Sequence, residues 1–192
     1  IKERLDYSCA VFDAGGGLVA NAPHIPVHLG AMAETVRAVR ARFPRMAEGD
    51  CVVTNDPAAG GSHLPDVTVV SPVFAGGAEP AFYVASRGHH ADIGGTTPGS
   101  MPADSRSLAE EGVLIPPMPL VEGGRLAEER ILGLLTGAAH PARAPADNLA
   151  ELEAMVAANR AGDALLCELA AAHGRERVAA TGREREVGRA DE

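Results

Sequence analysis

Gly60-Gly61-Ser62-His63-Leu64-Pro65-Asp66-Val67-Thr68-Val69-Val70 decides the fold class of this chain. The paired glycines open a loop. Pro65 has no amide hydrogen and bars a regular helix, so His63 to Asp66 form a stiff turn. Val67–Val70 is a β-branched run too short for a helix, and it reads as a strand. Cys51-Val52-Val53-Thr54 and Phe82-Tyr83-Val84-Ala85, on either side, read the same way. Further upstream, Tyr7 to Phe12 alternates, Asp13-Ala14-Gly15-Gly16-Gly17 turns, and Leu18-Val19-Ala20 resumes, the pattern of a β-hairpin. Between hairpin and strands, Met32, Val36, Val39 and Phe43 form the apolar stripe of a helix that starts near Gly30 and stops at Pro44.

Downstream, Gly94 to Pro119 is punctuated by Gly and Pro. It reads as a long loop with one strand-like stretch, Val113-Leu114-Ile115, and loops of that length are usually functional. Two helices follow, over 128–135 and 145–173. The second has Pro145 and Asp147 in its first turn, Gly162 weakening its middle and Gly174 as its C-cap. The charged stretch 175–192 is nearly devoid of aliphatics and is expected to be a disordered tail to a domain spanning 1–174. The fold class is therefore α/β (mixed α+β): a central mixed β-sheet with long functional loops and flanking helices. The chain opens at Ile1, close to a strand-like run, so an incomplete domain belonging to something longer is expected.

The 192 residues carry a formal charge of −9, which argues against nucleic acid or a polybasic membrane contact as partners. With four Phe, two Tyr and no Trp, the core must be built from Val, Leu, Ile and Ala. Cys9, Cys51 and Cys167 are scattered and form no CxxC, which suits a reducing, cytoplasmic setting. No apolar run approaches the ~20 residues of a membrane span, and no signal peptide opens the chain.

The chemistry-bearing residues cluster. His63-Leu64-Pro65-Asp66 stands before one strand, and His89-His90-Ala91-Asp92 stands at the end of another. Imidazoles with carboxylates make a mixed N/O ligand set suited to Zn, Mn or Fe. A loop histidine alone is ordinarily a surface group, but two clusters at neighbouring strand ends can bring His63, Asp66, one of His89 and His90, and Asp92 around one divalent metal. Extended backbone sends adjacent side chains to opposite faces, so at most one of His89 and His90 is a ligand unless a bulge intervenes. Pro23 and Pro26 hold His24-Ile25-Pro26-Val27-His28 extended, placing His24 and His28 on one side, where they either line a substrate pocket or are ordinary loop histidines. Asn55 and Asp56 either orient the ligands from behind or serve as plain turn residues. There is no GxxxxGK[ST] phosphate loop, no GxSxG elbow and no strand–GxGxxG–helix unit.

These residues resemble a known family, the B subunit of the hydantoinase/oxoprolinase group, which includes N-methylhydantoinase B, the C-terminal part of 5-oxoprolinase and a subunit of acetone carboxylase. The likeness runs in order through Ile1–Ser8, Ala22-Pro23-His24-Ile25-Pro26-Val27-His28-Leu29-Gly30, Asn55-Asp56-Pro57 and Gly60–Asp66. It continues through Ser86–Gly95, Pro98-Gly99-Ser100-Met101-Pro102 and Glu110-Glu111-Gly112. Members of the family are much longer, so the chain resembles only their N-terminal third or so. The resemblance implies an ATP-dependent hydrolase that opens five-membered cyclic amides such as hydantoin or 5-oxoproline. ATP is handled by a partner, a hydantoinase A-type ATPase subunit, in a hetero-oligomer. Phosphorylation of the ring carbonyl oxygen makes the ring labile, and the B part completes the hydrolysis. It further implies a metal on His63 and Asp66 with His89 or His90 as third ligand, and Asp92 as extra ligand or general base. With such an ion in place, general acid–base chemistry gives His24 or His28 the task of carrying the proton to the leaving nitrogen. Two alternatives stand beside it: a carboxylase subunit acting on a small ketone, and an inactive truncated interaction domain.

Overall fold

A computed structural model describes residues 6–21 and 26–180, the side chains of 26–29 excepted. The strands are β1 (Tyr7–Asp13), β2 (Leu18–Asn21), β3 (Cys51–Thr54), β4 (Asp66–Val73), β5 (Phe82–His89), β6 (Met118–Glu122) and β7 (Arg125–Leu126). The helices are α1 (Pro26–Arg42), α2 (Leu108–Glu111), α3 (Glu128–Gly137) and α4 (Pro145–His173). The strands form one sheet in the order β2-β1-β5-β4-β3-β6-β7. Every described pairing is antiparallel, where a mixed sheet was expected. The successive strands β1–β2, β3–β4, β4–β5 and β6–β7 are also neighbours in the sheet, and α1 carries the chain from the β1–β2 edge across to β3. No crossover of the kind that makes parallel neighbours is needed.

Alternation splits the sheet into two working faces. On one, Ala10, Phe12, Val52, Val70, Tyr83 and Ala85 pack against Met32, Val36 and Val39, the stripe of α1. On the other, Val53, Val67 and Val69 pack with Ile131 and Leu135 of α3 and Leu152, Met155 and Val156 of α4. Val73, Phe82 and Val84 meet Leu166 and Ala170 further along α4. Gly162 lets α4 approach closely, since a Cβ there would sit 3.1 Å from Val84 Cγ1. The glycine that weakens the helix locally thus brings it onto the sheet.

Several expectations are amended. Helix α1 begins at Pro26, not near Gly30, because proline suits the first helical position, where no amide hydrogen is required. His28 therefore lies on a helix, not on an extended segment beside His24, and His24 lies outside the described residues. Val113–Ile115 joins no strand ladder; its backbone is held by Val113 N–H to Ile93 O and by the Asn55 side chain. The strands of this region are instead β6 and β7, turned through Gly123 and Gly124. Residues 175–180 are helical, and Val178 and Ala179 pack on the third apolar cluster, so the expected charged tail is ordered at its start. Residues 181–192 lie outside the described part.

Candidate metal centre

The turn His63–Asp66 is built to hold its shape. Asp66 N–H bonds to His63 O at 2.9 Å, closing the turn around Pro65. The wholly buried Asn55 donates from Nδ2 to Leu64 O and to Val113 O, and its Oδ1 accepts Ile115 N–H. Of the pair left open above, Asn55 orients the turn, whereas Asp56 caps the 3₁₀ turn Pro57–Ala59 by accepting Ala58 N–H.

Strands β4 and β5 bring the second cluster to this turn. Asp66 stands directly across from His89 in the ladder, so both side chains leave the sheet on the α1 face. His89 Nδ1 lies 2.9 Å from Asp66 Oδ1, and His63 Nδ1 lies 2.6 Å from Asp66 Oδ2. The two imidazole rings meet edge to face, 5.1 Å apart. One ligand atom from each of His63, Asp66 and His89 falls within 4.8 Å of the others. Asp66 is fully buried and His89 nearly so, while the His63 side chain is 35% exposed, so the cluster has a closed floor and one open edge. The Asp66 carboxylate raises the His63 imidazole above its ordinary range, against the opposing effect of burial. Two imidazoles sharing one carboxylate are the donor set that zinc, manganese or iron accepts, and the residues fit such an ion.

Two of the expected residues are not brought here. His90 points through the opposite face, its Nδ1 3.0 Å from Asn148 Nδ2 and 3.1 Å from Glu151 Oε2 of α4. Burial pushes its pKa down, to about 3, which favours the neutral imidazole under the helix. The alternation of extended backbone thus resolves the pair in favour of His89. Asp92 faces the loop that follows it, with its oxygens accepting the amides of Gly94, Gly99 and Arg143 and the Arg143 guanidinium. That carboxylate is committed to the loop rather than to a base or ligand role.

Two residues escaped the sequence reading. Asp6, just ahead of β1, places Oδ2 4.0 Å from His89 Nδ1, a further carboxylate beside the cluster. Arg87 is wholly buried two residues before His89 on the same face. Its signal was legible: a charged residue inside an otherwise apolar strand is rare unless it is paired.

Solved structures share this fold. The ATP-dependent caprolactamase from Pseudomonas jessenii superposes with a TM-score of 0.80 at 35% identity, over 94% of this chain and 30% of that one. A nucleotide-free acetone carboxylase gives 0.77 at 17% identity over 92% of this chain and 23% of its own, a likeness of fold alone. The family model for hydantoinase B/oxoprolinase matches residues 1–186, and the chain belongs to that family. It is 52% identical over 183 residues to 5-oxoprolinase 1 of Arabidopsis thaliana, covering 91% of this chain. It is 36% identical over 176 residues to caprolactamase subunit beta of Pseudomonas jessenii. The chain spans 14% of the length of the former protein and 29% of the latter. No helix among the described residues is long and apolar enough to cross a membrane.

Proposed function

We propose that the chain supplies the cation-holding part of an ATP-dependent cyclic-amide hydrolase that opens five-membered rings of the 5-oxoproline or hydantoin type. The observation that carries this reading is the meeting of His63, Asp66 and His89 on one sheet face, in a chain about half identical to a 5-oxoprolinase. ATP is handled by a hydantoinase A-type partner subunit in a hetero-oligomer. The caprolactamase from Pseudomonas jessenii that shares this fold is ATP-dependent, which supports that division. The scattered free thiols and acidic charge fit a cytoplasmic assembly.

In the reaction, the partner transfers the terminal phosphoryl group of ATP to the ring carbonyl oxygen; water then adds its oxygen to that carbon, the ring C–N bond breaks with a proton taken up by the nitrogen, and a second water releases phosphate from the resulting acyl phosphate. A divalent cation, when bound, supplies Lewis acidity at neutral pH. His63, Asp66 and His89 hold it, and the half-open His63 edge admits the substrate. The buried floor under Asp66 and His89 excludes bulk water from the other sides. Proton delivery to the leaving nitrogen falls to the segment bearing His24 and His28. Its helix α1 abuts the His63 loop, because Thr35 Oγ1 donates to Gly60 O at 2.8 Å.

The test is made in the complete enzyme. His63→Ala and Asp66→Ala are expected to lose bound cation by elemental analysis and to slow ring opening by at least about 100-fold. Cation content and rate both equal to the parent's would end the proposal. Assaying 5-oxoproline, hydantoin, and acetone with bicarbonate side by side separates the hydrolase from a ketone carboxylase, which here rests on fold likeness alone.

A further inference from the structure

A guanidinium buried in an apolar sheet is strongly unfavourable unless something requires it. Arg87 is wholly buried, with Tyr83 and Ala85 as its neighbours along the same face of β5 and the Asp66 carboxylate near enough to favour its charge. Its hydrogen-bond partners are all neutral. Nε donates to Thr68 Oγ1 at 2.7 Å, Nη1 to Ser62 Oγ at 3.0 Å, and Nη2 to both Thr35 Oγ1 and Gly60 O at 2.9 Å.

These partners belong to the pieces that carry the cluster. Thr68 stands directly across from Arg87 in the ladder, the next pair on the same face after Asp66 and His89. Gly60 and Ser62 bracket Gly61, immediately before His63. Thr35 ties the same Gly60 carbonyl to α1. The planar fork of one arginine thus spans the β4–β5 pairing, the His63 loop and the helix, which an ammonium on a flexible stem cannot do.

We propose that Arg87 is a positioning residue for the cation site: its guanidinium braces the Gly60–His63 loop against β4 and β5, fixing His63 at the distance from Asp66 and His89 that sets divalent-cation affinity. This rests on the cation-holding reading above. Arg87 acts through two opposed effects. The brace favours cation binding, while its positive charge opposes it, so a variant that removes both would mix the two. The informative variants keep the net charge of the site. Arg87→Lys retains the charge and loses the fork. Ser62→Ala removes one anchor of the loop without touching any charge. Asn159→Ala is the control, because Asn159 is equally buried but bonds Ser71 and the Val69 carbonyl on the far face.

Affinity of the full chain for Mn²⁺ and Zn²⁺ is measured by competition with a chromogenic chelator, alongside the thermal midpoint of the metal-free protein. Arg87→Lys is expected to bind about tenfold more weakly, at the lower end of the losses seen for groups that orient ligands, and Ser62→Ala, which removes one of several anchors, about threefold more weakly. Asn159→Ala is expected to melt lower with unchanged affinity, which separates bracing from general stability. Should Arg87→Lys fail to fold, Ser62→Ala decides alone. Affinities within about twofold of the parent in every folded variant overturn the proposal and leave Arg87 a purely structural group. Absence of Mn²⁺ or Zn²⁺ binding in the parent chain overturns the cation reading itself, and this inference with it, an outcome visible before any variant is made.

Discussion

Asp92 shows how one carboxylate can organise a loop rather than a reaction. Burial pushes its pKa up, but the amides of Gly94, Gly99 and Arg143 and the Arg143 guanidinium outweigh that, holding the carboxyl below its ordinary 3.8. A carboxyl held lower in the fold than in the unfolded chain contributes stability at pH values above its unfolded pKa. That contribution is lost as pH falls through the folded value. Asp92→Asn keeps the size but loses the charge and one acceptor oxygen, a cost of about 1–3 kcal/mol at neutral pH. Urea unfolding at pH 7 should show that deficit, and below about pH 3.8 the gap between parent and variant should narrow. An undiminished gap in acid would mean that the carboxylate charge is not what organises the loop.

At the scale of the element, the loop before His63 has no slack. Gly60 sits at φ +81°, and a Cβ there would lie 2.5 Å from Thr35 N of α1. At Gly61 a Cβ would lie 2.5 Å from Asn55 O. Both atoms are backbone and cannot swing away, so alanine at either position must displace the loop. Gly60→Ala also meets an unfavourable backbone conformation, and each change is expected to cost about 2–4 kcal/mol in thermal or denaturant unfolding. Cation binding should weaken in the same variants, because the displaced loop carries His63. The glycine pair was visible in the sequence as a loop signal; its contacts were not, because Thr35 belongs to a helix 25 residues away in the chain and Asn55 is met only when the loop folds back on the end of β3. Helix α4 was legible over its full length, since Pro145 and Gly174 mark its ends. The β6–β7 hairpin was not, because Pro119 breaks the apolar run that would announce a strand.

For the molecule as a whole, most of the site was legible as donor chemistry and almost none of it as placement. His63, Asp66 and the His89–His90 pair could be read as ligand types. Which histidine faces the carboxylate depends on the β4–β5 register, and the roles of Asp6 and Arg87 depend on tertiary neighbours. The exterior is less settled than the core. Leu165 and Leu169 of α4 are 60% and 47% exposed and line a groove together with Val11, Val19, Leu166 and Val178. Apolar surface of this kind favours self-association. The double variant Leu165→Ser, Leu169→Ser should raise the concentration at which the chain stays monomeric in sedimentation, with little change in unfolding midpoint. A large drop in that midpoint would mean that these leucines hold the fold.

The opposed His89 and His90 give the hairpin turn at 74–81 an influence far from its own position. That turn lies at the other end of the eight-residue strands β4 and β5, whose far ends carry Asp66 and His89. A one-residue change there that slides the strands by a single step would set either Gly88 or His90 across from Asp66, removing the imidazole or replacing it with the one now packed beneath α4, and in both cases would send Arg87 out through the wrong side. The length of a remote connection therefore meters which nitrogen donor the carboxylate receives.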